Sequence, residues 1–148
     1  MTTHTYESAL KWRGRTRDYE GYERRHDVTI AGTELAVSAD AAFRGDAVLP
    51  NPEQLIVAAA SSCQLLSFLA VAALGGVDVV EYRDRAYGEM PASGDPMHLT
   101  RIVLRPHIAI VGASVARVER LVGIAHAQCY VANSLITEVV VEPSVEVR

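Results

Sequence analysis

Asn51-Pro52-Glu53-Gln54 opens the stretch that decides the fold, and Gly75-Gly76 closes it. Between them, Leu55 to Leu74 reads LIVAAASSCQLLSFLAVAAL, without one charged residue. Asn is a preferred N-cap, and Pro is favoured at the first helical position, where its missing N–H costs nothing. Glu53 suits the positive end of the helix dipole, and Gln54 can reach back to Asn51 in a capping box. The pattern predicts a helix that starts at Pro52 and stops at the glycine pair.

An uncharged run of this length meets the length criterion for a membrane span. Ser61, Ser62, Gln64 and Ser67 interrupt it, alanine dominates it, and no aromatic or basic anchors flank it. A span is therefore not expected, and no membrane partner follows. A helix that is apolar all round must then be enclosed by protein. One domain of 148 residues has difficulty doing that alone. Burial between two subunits is the economical solution, so a homodimer is expected.

Working outward, strand candidates precede the helix at Tyr6 to Lys11, Asp27 to Ile30 and Glu34 to Val37, with turn signals at Gly14, Gly21 and Gly32. Asp40 to Leu49 reads as a loop. After the helix, Val77 to Met90 reads as a strand, Pro91 to Pro96 as a turn, and Leu99 to Val111 as a second strand with Pro106 marking an edge or bulge. From Ser114 the period turns helical, with Val115, Val118, Val122, Ala125 and Cys129 on one stripe. Val139 to Val147 alternates as a closing strand. Strands, a buried helix, more strands, a second helix and a last strand make one α+β domain over residues 1–148.

Composition removes several function classes. Hydrophobic residues make up 49% and the net charge is −4, with no dense basic run, so a general nucleic-acid binder is not expected. Lys11 is the only lysine, which argues against Schiff-base and P-loop enzymes. No glycine-rich phosphate loop or Gly-x-Ser-x-Gly elbow is present. Residues Met1 to Trp12 are polar and show no leader-like apolar core, and a cytoplasmic location is expected.

Cys63 and Cys129 are the two cysteines. They are too few for a disulfide scaffold or a four-thiolate zinc site. A redox pair, two structural thiols, or a mixed site of His126, Cys129, Cys63 and His107 remain open, and the last is half a motif at best. Desolvation inside an apolar helix would keep Cys63 protonated and inert. Reactivity needs a cation from elsewhere, and arginine is the plentiful one. Tyr22, Arg24 and His26 precede a strand and would share a face on strand alternation. Glu53 could pair with such an arginine, yet along one helix it lies ~15 Å from Cys63.

Two motifs then carry a resemblance. Asn51-Pro52-Glu53-Gln54-Leu55 with Cys63 in Ala60-Ser61-Ser62-Cys63, and Ala125-His126-Ala127-Gln128-Cys129 running into Tyr130 to Ser134, resemble the OsmC/Ohr family of osmotically inducible and organic hydroperoxide resistance proteins. The resemblance implies an OsmC-like α+β fold, with antiparallel sheets around a long buried central helix in an intertwined homodimer. It implies a peroxidase without metal or organic cofactor, in which a Cys63 thiolate attacks hydrogen peroxide or an organic hydroperoxide and becomes a sulfenic acid. Cys129 looks like the resolving cysteine that forms a disulfide with Cys63, and a dithiol of lipoyl type looks like the reductant. Glu53 looks like the acid that positions an arginine, with Arg24 the best match and Arg25 or Arg15 the alternatives. The competing reading is the same dimer with inert thiols and a binding or structural role.

Overall fold

The capping signals read from Asn51 are all made. In the computed structural model, which describes residues 1–148, helix α1 spans Pro52–Leu74 without a break. Gln54 N–H donates to Asn51 Oδ1 at 2.9 Å and Asn51 N–H donates to Gln54 Oε1 at 3.0 Å, so the box closes reciprocally. At the far end Gly76 adopts φ +70°, the left-handed conformation in which glycine terminates helices.

The chain divides into two compact units, Met1–Leu55 and Ile56–Arg148. The first holds a three-stranded antiparallel sheet of β1 (Ala9–Lys11), β2 (His26–Ile30) and β3 (Thr33–Val37), in that order. Ala31 and Gly32 both take positive φ in the two-residue β2–β3 turn, the twist that suits a tight hairpin. The Asp40–Leu49 loop contains one 3-10 turn, Ala41–Phe43, capped by Asp40. Gly45 is needed there, because a Cβ would meet the Ala39 carbonyl oxygen at 1.7 Å.

In the second unit each long strand read from the sequence is broken in two. Val77 to Met90 becomes β4 (Asp78–Asp84) and β5 (Tyr87–Glu89); Leu99 to Val111 becomes β6 (Arg101–Leu104) and β7 (Pro106–Val111). Val139 to Val147 becomes β8 (Glu138–Val141) and β9 (Ser144–Val147). The halves belong to two different sheets, β4-β7-β9 and β5-β6-β8. Pro106 marks one of the crossing points, since it has no N–H to continue the ladder. The expected antiparallel sheets are in fact mixed: β4–β7 and β5–β6 are antiparallel, while β6–β8 and β7–β9 are parallel. Consecutive residues Ile102–Leu104 and Ile108–Ile110 are buried, the mark of strands covered on both faces.

Helix α2 (Val115–Ala127) packs Val118, Leu121, Val122 and Ala125 inward; Val115, expected on that stripe, is 41% exposed at the first turn. A single turn, α3 (Tyr130–Asn133), follows. The core gathers Phe68, Ala72, Ile108, Ile110, Val118 and Val122.

Within one chain, helix α1 is buried along one face only. Its buried residues are Ala60, Gln64, Phe68 and Ala72, one every fourth position, which makes a single narrow stripe. Leu66 is 64% exposed and Leu74 91% exposed. By length and composition the helix could also cross a membrane.

An ionic network fastens the end of the chain to its sheet. Arg148 bridges Glu81 and Glu146, Glu146 also bonds His107, and His107 bonds Ser144. Hydrogen bonding from Arg148 and His107 holds the Glu146 carboxyl down to about 2, against an ordinary 4.5. Such a group stabilises the fold above its unfolded value, and that stability is lost as pH falls through the folded value. Arg148→Ala should therefore give a small drop in the urea midpoint at pH 7, shrinking as the pH is lowered from 4.5 towards 2. Equal midpoints at neutral pH would show that the network contributes nothing.

Candidate functional site

The two cysteines, 66 positions apart in the sequence, are neighbours in the second unit. Cys63 is half-buried on α1, and Cys129 is buried just past the end of α2; both are free thiols. Two polar side chains of α1 fix the helix pair that brings them together. Gln64 Nε2 donates to the Val122 carbonyl at 3.3 Å, and Ser67 Oγ donates to the Ala125 carbonyl at 2.8 Å. Both acceptors lie on the last turns of α2, immediately before Cys129. Residues that interrupt the apolar run in the sequence thus serve as cross-ties between helices.

Burial pushes the Cys129 thiol above its ordinary value; the amides of Ala132 and Val131 oppose the rise, and the adjacent Cys63 thiol adds to it. A buried thiol of this kind gives up its proton reluctantly.

Strand β4 flanks the same part of α1. Ser61 Oγ donates to Asp84 Oδ2 at 2.5 Å, and the Arg105 amide donates to Asp84 Oδ1 at 2.7 Å. The Tyr82 ring packs on Phe68 at 5.9 Å between centroids. Burial, with the charges of Asp84 and Cys129, raises the Tyr82 hydroxyl well above the phenol range, so it keeps its proton. That hydroxyl is shielded from solvent and bonds to no protein group, as does Gln64 Oε1. Leaving a buried hydroxyl unbonded costs about 1–3 kcal/mol.

The first unit contains the other candidates. Tyr22, Arg24 and His26 are half-buried while Glu23 and Arg25 are exposed, the alternation read from the sequence. Arg24 and Glu53 line one cavity of about 700 Å³, walled by Trp12, Tyr19, Tyr22 and Phe43. Arg24 Nη1 donates to the Tyr22 carbonyl at 2.5 Å and Nη2 donates to that of Tyr19. Its guanidinium stacks 3.6 Å from the Tyr22 ring centroid and 5.4 Å from that of Tyr19. Aromatic faces and backbone carbonyls orient this cation, where the sequence suggested a carboxylate. Its Nε is buried and unbonded. Arg15 and Arg25 are exposed.

His107 is engaged with Ser144 and Glu146 on the β4-β7-β9 sheet, and no three His, Cys, Asp or Glu side chains converge into a metal-binding group. Tyr82, Gln64 and Ser67 are the residues that sequence reasoning passed over. The only available signal was polarity at positions otherwise apolar.

The family model for OsmC-like proteins matches residues 44–144. No curated protein matches the chain. Among solved structures, an OsmC-like protein of unknown function from Vibrio cholerae is similar, with TM-score 0.86 and 28% identity over 96% of this chain and 100% of that one. An organic hydroperoxide resistance protein from Elizabethkingia anophelis shares the fold at TM-score 0.71 and 18% identity, covering 99% of each chain. One from Legionella pneumophila does so at TM-score 0.67 and 20% identity, over 97% of this chain and 99% of its own.

Proposed function

The chain belongs to the OsmC-like family, and from that premise we propose that it is a thiol-dependent peroxidase acting as a homodimer. The observation that carries the reading is the pairing of two free cysteines at the α1–α2 contact, one half-buried and one buried. The Cys63 thiolate attacks an oxygen of hydrogen peroxide or of an organic hydroperoxide. The O–O bond breaks, water or an alcohol leaves, and Cys63 becomes a sulfenic acid. Cys129 then attacks the oxidised sulfur, releasing water and forming a Cys63–Cys129 disulfide. A dithiol reductant, of lipoyl type, restores both thiols by exchange in the cytoplasm.

In this reading the outward face of α1, with Ile56, Leu66, Leu69 and Leu74, is covered by a second copy of the chain. Contiguous apolar side chains exposed on one helix are the usual mark of such a contact. Arg24, oriented by its tyrosines, supplies the cation that stabilises the Cys63 anion and polarises the peroxide, with Glu53 beside it. The chemistry calls for no metal and no organic cofactor.

The test is consumption of hydrogen peroxide and of alkyl hydroperoxides by the purified protein with excess dithiol. Repeated turnover that stops when the dithiol is exhausted is expected. Consumption no faster than with dithiol alone, for every hydroperoxide tried, would refute the proposal and favour the inert dimer.

A further inference from the structure

The cavity of about 700 Å³ lies wholly within the first unit, and its size is that of a site for a small organic molecule. Its aromatic walls divide into two pairs. Tyr19 and Tyr22 already hold a cation, the Arg24 guanidinium, against their faces. Trp12 and Phe43 line the same cavity with no cation over them, and they are 37% and 42% exposed. Trp12 is nonetheless fixed in place. Its Nε1–H donates to the Glu23 carbonyl at 2.7 Å, and Gly14 lies so close to the ring that a Cβ there would meet Cζ2 at 2.6 Å. A ring held in this way offers a preformed face.

Charge in the cavity is one-sided. Glu23, Asp40 and Glu53 line it, against the single guanidinium of Arg24. Glu23 accepts from the Arg25 amide at 2.8 Å and Asp40 from the Ala42 amide at 2.7 Å, so backbone dipoles steady these carboxylates without cancelling their charge. Glu53 sits in the first turn of α1, where the helix dipole does the same. None of the three forms an ion pair. Arg44, which lies over the Tyr19 ring at 5.9 Å, pairs with Glu20 instead. Both Nη atoms of Arg24 are engaged by backbone carbonyls. Negative charge is thus in excess beside two uncovered aromatic faces.

We propose that this cavity binds an organic cation, an alkylammonium group carried on a small apolar body. The negative faces of the rings attract such a cation, and the carboxylates add direct attraction in a partly enclosed space. An anion would meet three carboxylates and an arginine whose Nη atoms are already engaged. A neutral apolar guest would leave the excess charge unanswered. The inference goes beyond the peroxidase reading and stands apart from it, since it needs neither cysteine nor peroxide.

Trp12 is the only tryptophan, so its fluorescence reports on the cavity. The experiment titrates the full-length protein, at constant ionic strength, with three probes of one shape. They are choline, neohexyl alcohol (in which carbon replaces the nitrogen) and the anion tert-butylacetate. Choline should give a saturable change with a millimolar Kd, the alcohol should bind about tenfold more weakly, and tert-butylacetate should not bind. Phe43→Leu keeps apolar bulk and removes a ring face; it should weaken choline about 3- to 10-fold and leave the alcohol unchanged. Glu53→Gln keeps the size and removes a charge, and should narrow the preference for choline over the alcohol by a similar factor. That preference is a ratio which a merely structural disturbance would not move. Should Phe43→Leu fail to fold, Glu53→Gln carries the test. No saturable response to choline, equal binding of choline and the alcohol, or a preference unmoved by both substitutions overturns the proposal. Any of these results leaves the peroxidase reading to its own test.

Discussion

Cys63→Ser should abolish the proposed peroxide turnover, with a loss on the order of 10³-fold or more. The serine hydroxyl does not ionise near neutral pH and has no stable counterpart of the sulfenic acid, so no residual pathway uses the same chemistry. Cys129→Ser should give a different result from the same site. Its Cys63 should be oxidised once, consume one equivalent of hydroperoxide, and then accumulate as sulfenic acid for want of the adjacent thiol. Peroxide consumption in the two variants, read with mass spectrometry of the Cys63 peptide, separates these outcomes. Wild-type rates in Cys63→Ser would remove the basis of the account.

Leu66→Glu should convert the proposed dimer to monomers. Leu66 is 64% exposed, so a glutamate there meets water in the isolated chain and leaves its fold intact. At an interface built from Ile56, Leu69 and Leu74 the same carboxylate would be buried without a partner, at a cost of several kcal/mol. Each 1.4 kcal/mol is about tenfold in dissociation constant, so the interface weakens ~10²- to 10³-fold or beyond. Sedimentation should show a dimer for the wild type and a monomer for the variant, with turnover falling in step. A variant that remains dimeric would place the interface on another surface.

The parts of the molecule that were legible in the sequence are those fixed by near neighbours. Asn51 and Gln54 are three apart and bond each other, so the helix start was readable without any tertiary information. The half-buried alternation of Tyr22, Arg24 and His26 is likewise a local property of extended chain. The strand breaks were not readable, because the halves of each apolar run go to separate sheets and the division is set by partners far along the chain. The all-round apolar character of α1 correctly flagged an unusual helix, yet a sequence cannot say that one stripe meets its own core and the rest does not. The meeting of Cys63 with Cys129 depends on Gln64 and Ser67 gripping α2, which no spacing rule encodes. The tyrosine surroundings of Arg24 were not readable, since opposite charge is visible in a sequence and a tyrosine face turned towards a guanidinium is not.

The most direct test of the central claim is to add one equivalent of hydroperoxide to the reduced wild-type protein and map its cysteines by mass spectrometry under non-reducing conditions. The account predicts that both thiols disappear together and that one species links the Cys63 and Cys129 peptides within a single chain. Recovery of both cysteines as free thiols, with the hydroperoxide unconsumed, would contradict it.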